Sequence, residues 1–184
     1  LDMYHPWSLD PDAAQLVAAE CESAGLGVDA RIVNSDGAQI GTQQGIRVYG
    51  NSHGFVGSYA STRHSLSCVL IGEDQNGMQR DYWYTVARSA DELESAVRVG
   101  QTAGERTVAR LAPEKAPTGT FPIILAPPLA AGLIGHLLGA ISGGAQYRKA
   151  SFLLDSMGQQ VLPSWLSLQE SPLLPRSLGG SYFD

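Results

Sequence analysis

Gly50-Asn51-Ser52-His53-Gly54 spells G-x-S-x-G, the pattern in which a serine stands on a sharp strand-to-helix turn and attacks a carbonyl. That chemistry needs a helix after the second glycine. Here Phe55, Gly57 and Tyr59 continue a strand alternation, so the glycines are better explained by a tight β-turn braced by Ser52. The four histidines, His5, His53, His64 and His136, have neither H-x-x-x-H nor H-E-x-x-H spacing, and no cysteine or carboxylate sits beside them at ligand spacing. His64 reads as a hydrogen-bonded strand residue and His136 as a core helix histidine. Gly132, Gly135 and Gly139 fit neither G-x-G-x-x-G nor a P-loop, and are read as a surface for close helix packing. Tyr147-Arg148-Lys149 is the strongest basic cluster beside a glycine-rich stop, suited to gripping a carboxylate or another subunit's acidic edge and equally to a solvated turn. Cys21 and Cys68 match no zinc or redox spacing and lie in segments that read as core, which fits a reducing cytosol.

The elements that would position these groups follow from the hydrophobic pattern. Asp10 before Pro11 starts an amphipathic helix that Gly25 ends. Period-two runs over 28–34, 46–49, 55–59, 66–71 and 82–86, separated by turn chemistry at 35–37, 50–54 and 74–77, predict an antiparallel meander. Ser89-Ala90-Asp91-Glu92 is a capping box, and apolar positions from Leu93 to Leu111 predict a helix lying across the sheet. Residues 113–120 read as a linker. Phe121 to Ala126 then reads as a buried strand, and Leu129 to Ile141 as a buried, uncharged helix stopped by Ser142-Gly143-Gly144. The expected fold class is α+β: a helix-flanked antiparallel sheet over 1–115, then the start of a second, mixed α/β domain over 116–184.

Bulk composition narrows the function classes. The 184 residues are 43% hydrophobic, enough for a folded core, and the formal net charge of −6 leaves no global basic surface for a nucleic-acid backbone. No direct nucleic-acid partner is expected. The apolar stretch after Pro127-Pro128 is too short to cross a bilayer, so no membrane partner is expected either. The chain starts at Leu1 without a methionine or an export signal and reads as a segment cut from a longer, cytoplasmic polypeptide.

Several blocks together resemble one family: Gly50 to Gly54, Ser61-Thr62-Arg63-His64-Ser65, Gly135-His136, and the long run from Gly143 to Ser156. They look like the PmbA (TldE) branch of the TldD/PmbA family, also called modulator of DNA gyrase. The likeness runs from His5-Pro6 to Ser181-Tyr182-Phe183-Asp184. It implies an intracellular proteolytic assembly of two related subunits, acting on unfolded or extended peptide, of which the TldD-like one is a zinc metalloprotease. In that subunit a helix carries H-E-x-x-x-H, two histidines for zinc and a glutamate to activate water, with a cysteine ligand later in the chain. Setting the second histidine on His136 puts Ala131 where the first would stand and Gly132 where the glutamate would stand.

Neither a methyl group nor a hydrogen binds zinc or takes a proton from water. The resemblance therefore implies no catalytic residue, no metal ligand set and no cofactor in this chain, with zinc expected only in the TldD-like partner. A five-residue ligand spacing turns about 140° past a full helical turn, and Gly132 and Gly135 could preserve a widened turn of the π-bulge kind. Tyr147 and Arg148 are the candidates for partner or substrate contact. Two other readings compete: a stand-alone serine hydrolase using Ser52, with His136 or His64 as base and Asp81 or Asp155 as orienter, and a scaffold without a proteolytic role.

Overall fold

The computed structural model describes residues 1–182; Phe183 and Asp184, the end of the last resembling block, lie outside the described residues. Residues 1–115 and 171–182 form one unit and residues 116–170 another. The first holds α1 (Pro11–Leu26), β1 (Ile32–Gly50), β2 (Val56–Asp74), β3 (Gly77–Ala87), a 3₁₀ turn (Ala90–Glu92) and α2 (Ala96–Ala109). It is an α+β arrangement: an antiparallel sheet in the order β1-β2-β3 with helices packed against it.

Asp10 starts α1 as expected, its carboxylate accepting from the Ala13 amide at 2.8 Å, with Pro11 in the first turn. The meander is simpler than the sequence suggests, because three long strands replace five short ones. Ser35-Asp36-Gly37 is a bulge inside β1: the register shifts there, Gly37 takes φ 102°, and Ser35 Oγ accepts from the Gly37 amide at 2.8 Å. Turn-forming residues made this extra-residue kink look like a strand end.

Strand β2 sets the core. Thr62, His64, Leu66, Cys68 and Leu70 alternate inward with partly exposed neighbours. Leu66, Cys68 and Leu70 pack with Cys21 of α1, Ile32 of β1, and Ala96, Val99 and Ala103 of α2. Two glycines allow the helices to approach: a Cβ on Gly100 would overlap the Cys21 carbonyl, and one on Gly104 would lie 2.8 Å from the Gly25 carbonyl. The capping box does not open α2. Ser89 precedes only the 3₁₀ turn, and the helix starts at Ala96, where Ser95 Oγ accepts from the Arg98 amide at 3.3 Å.

The second unit contains α3 (Pro127–Ile141) and α4 (Gly143–Tyr147) and, among its residues, no strand. Over 116–170 the chain consists of helix and irregular segments. Phe121 to Ala126 is non-helical and exposed, Ile124 almost completely. Pro122 has no amide to donate, and no strand in this unit offers a ladder partner. Only Ala140 of α3 is buried, so this helix is not a core helix here, and its glycines approach nothing: a Cβ on Gly132, Gly135 or Gly139 would meet no atom within 4 Å. Ser142 closes α3 and caps α4, so the expected stop is also a start.

Candidate functional site

Helix α3 is α-helical throughout Pro127–Ile141, without the widened turn that the glycines could have preserved. In a regular helix, positions 131 and 136 point about 140° apart. Ala131 and Gly132 carry no donor, and His136 is exposed rather than buried, beside an open hollow lined by Gly139, Ser151 and Phe152. Among the described residues no three His, Cys, Asp or Glu side chains gather as metal ligands. The residues present therefore do not fit a zinc ion.

Ser52 lies at the tip of the hairpin between β1 and β2, and a strand follows it instead of a helix. Asn51 supplies the brace expected of Ser52. Its Oδ1 accepts from the amides of His53 at 3.0 Å and Phe55 at 3.3 Å, while Gly54 takes φ 86°. From Val56 to His64 along β2 is roughly 26 Å, so Ser52 and His64 cannot share a proton.

His64 is 1% exposed, and both ring nitrogens are engaged. Nε2 faces the His5 carbonyl at 2.9 Å and must donate to it; Nδ1 lies 2.9 Å from Thr42 Oγ1, and Trp7 meets the ring edge-on. This is the hydrogen-bonded strand histidine read from the sequence, now with its partners. Asp81 serves structure too: its carboxylate meets Arg106 at 3.3 Å and Arg110 at 3.6 Å, and Arg106 lies over the Trp83 ring. Asp155 belongs to the second unit, in the left-handed region at φ 58°, its carbonyl accepting from Gln159 Nε2 at 3.1 Å. The first unit thus brings no serine-histidine-carboxylate set together from Ser52, His64 and Asp81.

The block from Gly143 to Ser156 is held by polar side chains. Gln146 Nε2 donates to the Ala140 carbonyl at 2.7 Å, Ser151 Oγ donates to the same carbonyl at 2.7 Å, and Ser156 Oγ donates to the Leu153 carbonyl at 2.7 Å. These bonds fold the chain back on the end of α3 and leave Tyr147, 90% exposed, and Arg148 at the surface. Arg148 folds its guanidinium back over Gly144. Sequence reasoning missed Arg88, a buried arginine whose guanidinium donates to the main-chain carbonyls of Thr62, Ser177 and Leu178. A single arginine at a strand end gives no pattern by which to find it.

An antiparallel sheet backed by two helices, followed in sequence by a helical unit, defines an α+β protein. Residues 4–111 match the model of the PmbA/TldA metallopeptidase central domain and residues 118–184 that of the PmbA/TldA metallopeptidase C-terminal domain, so the chain belongs to this family, of metalloprotease and modulator-of-DNA-gyrase type. It is 46% identical to Metalloprotease PmbA of Escherichia coli O157:H7 and 46% identical to the Metalloprotease PmbA homolog of Haemophilus influenzae, over its full length in both cases. It spans 41% of the length of each relative. The crystal structure of a candidate modulator of DNA gyrase from Bacteroides thetaiotaomicron superposes with a TM-score of 0.92 at 28% identity, covering 100% of this chain and 42% of that one. A Thermotoga maritima structure with a TM-score of 0.79 at 18% identity, covering 87% of this chain and 37% of that one, shares the fold. Among the described residues no helix is long and apolar enough to cross a membrane.

Proposed function

We propose that this chain is part of a PmbA/TldE-type subunit that does not itself cleave peptides but partners a TldD-like zinc metalloprotease in cytoplasmic proteolysis and peptide maturation. What supports this reading is helix α3, where the family resemblance sets Ala131 and Gly132 at the positions of a ligand and a base and, among the described residues, no ligand set gathers around His136. Zinc would belong to the partner alone. This subunit would shape the assembly and the path of an extended peptide, with Tyr147 and Arg148 as contact candidates because they stand exposed at the end of α4, on a segment fixed by its own hydrogen bonds. Neither nucleic acid nor membrane enters the proposed role.

The test mixes the full-length protein with a TldD-like partner and follows cleavage of an unfolded peptide. Turnover should need both proteins, vanish when the partner's motif glutamate is replaced, and survive His136→Ala here. Tyr147→Ala and Arg148→Ala should weaken assembly. Cleavage by this protein alone, or complete loss of turnover with His136→Ala, would refute the non-catalytic assignment.

A further inference from the structure

Arg88 is 8% exposed, and among the described residues it pairs with no carboxylate. Its Nε donates to the Ser177 carbonyl at 3.2 Å, Nη1 to the Thr62 carbonyl at 3.0 Å, and Nη2 to the Leu178 carbonyl at 3.0 Å. A guanidinium has five N–H donors, so these three bonds leave two to be placed. Carbonyl dipoles offset part of the cost of burying the cation but do not neutralise it.

Arg88 lines an open hollow of about 690 Å³ whose wall also carries Arg63, Thr42, Gln43, Gln44 and Ser61. Among the described residues no acidic side chain lines it. In a chain with 18 acidic and 12 basic residues, a hollow with two arginines and, among the described residues, no acid runs against the overall balance. Ser61, also in its wall, carries a hydroxyl that can serve as a further donor.

We infer that this hollow binds a carboxylate carried by an extended peptide, with Arg88 as the fixed cation at its base and Arg63 as the mobile one at its rim. The chemistry fits a planar two-oxygen anion, since guanidinium donors match that geometry in pairs. The inference rests on the peptide-handling role proposed above. It adds a recognition site in the sheet unit, separate in sequence from Tyr147 and Arg148.

The experiment measures binding of short unstructured peptides to the full-length protein at low salt, comparing a free C-terminus with its amide and an internal glutamate with glutamine. Removing the recognised carboxylate should weaken binding about tenfold, the scale of one lost charge-assisted hydrogen bond. Arg63→Gln should produce a similar loss with the carboxylate peptide and little further loss with the neutral one. Because Arg88 also holds three carbonyls, Arg88→Lys serves beside Arg88→Gln to keep the charge while changing the fork. Whichever carboxylate shows the coupling identifies the source of the anion. Equal binding of acid and neutral peptides, or equal weakening of both by the arginine changes, overturns the site and leaves the subunit role standing. Cleavage without the partner would instead overturn the role, and the carboxylate dependence would still be read from the binding curves.

Discussion

At the scale of single residues, the hairpin tip shows how a motif loses its meaning in the wrong setting. Ser52 has the neighbours of a nucleophile but not the helix, and the oxygen that organises the turn belongs to Asn51. Asn51→Ala should therefore destabilise the protein by about 1 kcal/mol, the net size of a modest hydrogen bond, while Ser52→Ala should cost less. Denaturant unfolding of the two variants checks this, and the reverse order would return Ser52 to the structural role. A fluorophosphonate probe should label neither protein at this turn. The sequence made the turn legible, since glycine and asparagine there have few other uses. It could not reveal which side chain braced it, because both Asn51 and Ser52 carry an acceptor.

At the scale of elements, the helices were read from their stripes and caps, and the errors fell where one signal served two structures. A strand-breaking triplet and a bulge share the same residues, as Ser35-Asp36-Gly37 demonstrates. A serine-to-glutamate box can start a 3₁₀ turn as readily as a helix, leaving Ser95 to cap α2. The glycines were assigned to the wrong helix pair. Those of α3 approach nothing, whereas Gly100 and Gly104 of α2 lie against α1. Gly100→Ala should destabilise the fold by about 1 to 3 kcal/mol despite alanine's better helix propensity, because the obstacle is the Cys21 main chain rather than a side chain that can turn away. Gly132→Ala in the open face of α3 should not show that loss. Thermal unfolding of both variants decides the matter, and an equal effect would place the close crossing elsewhere.

At the scale of the whole molecule, the α+β class was legible because strand alternation and helix periodicity occupy separate stretches of sequence. The reading of α3 as a helix without a ligand set comes only through resemblance, since an absent side chain leaves no local pattern. The core of the sheet unit supplies its own reporter. Cys21 and Cys68 are both fully buried, and a hydrogen bond to the Cys68 sulfur together with burial pushes the Cys21 thiol far above its ordinary range. The same bond holds the Cys68 thiol below its ordinary range, so what protects both sulfurs from alkylation is their closure to solvent. Both cysteines should therefore escape iodoacetamide in the native state and react together on unfolding, as mass spectrometry across a denaturant series would show. Ready labelling of either in the absence of denaturant would mean that α1 separates from β2 on its own.

The sheet unit is not contiguous in sequence. Asp2 and Glu92 hold Arg176 at 2.6 and 3.1 Å, and Arg88 holds the carbonyls of Ser177 and Leu178, after residues 116–170 have been spent on another unit. A ribosome emits the chain in one direction, so the early sheet and helices leave the exit tunnel well before the segment that Arg88 will grip. During that interval the guanidinium has only the Thr62 carbonyl of its three native acceptors, and the nascent sheet must wait with two of the three bonds unmade. Closing so long a detour costs little more than closing one half its length, because the entropy of loop closure grows only with the logarithm of the loop. Translation order, rather than chain entropy, thus sets when this part of the protein reaches its final form.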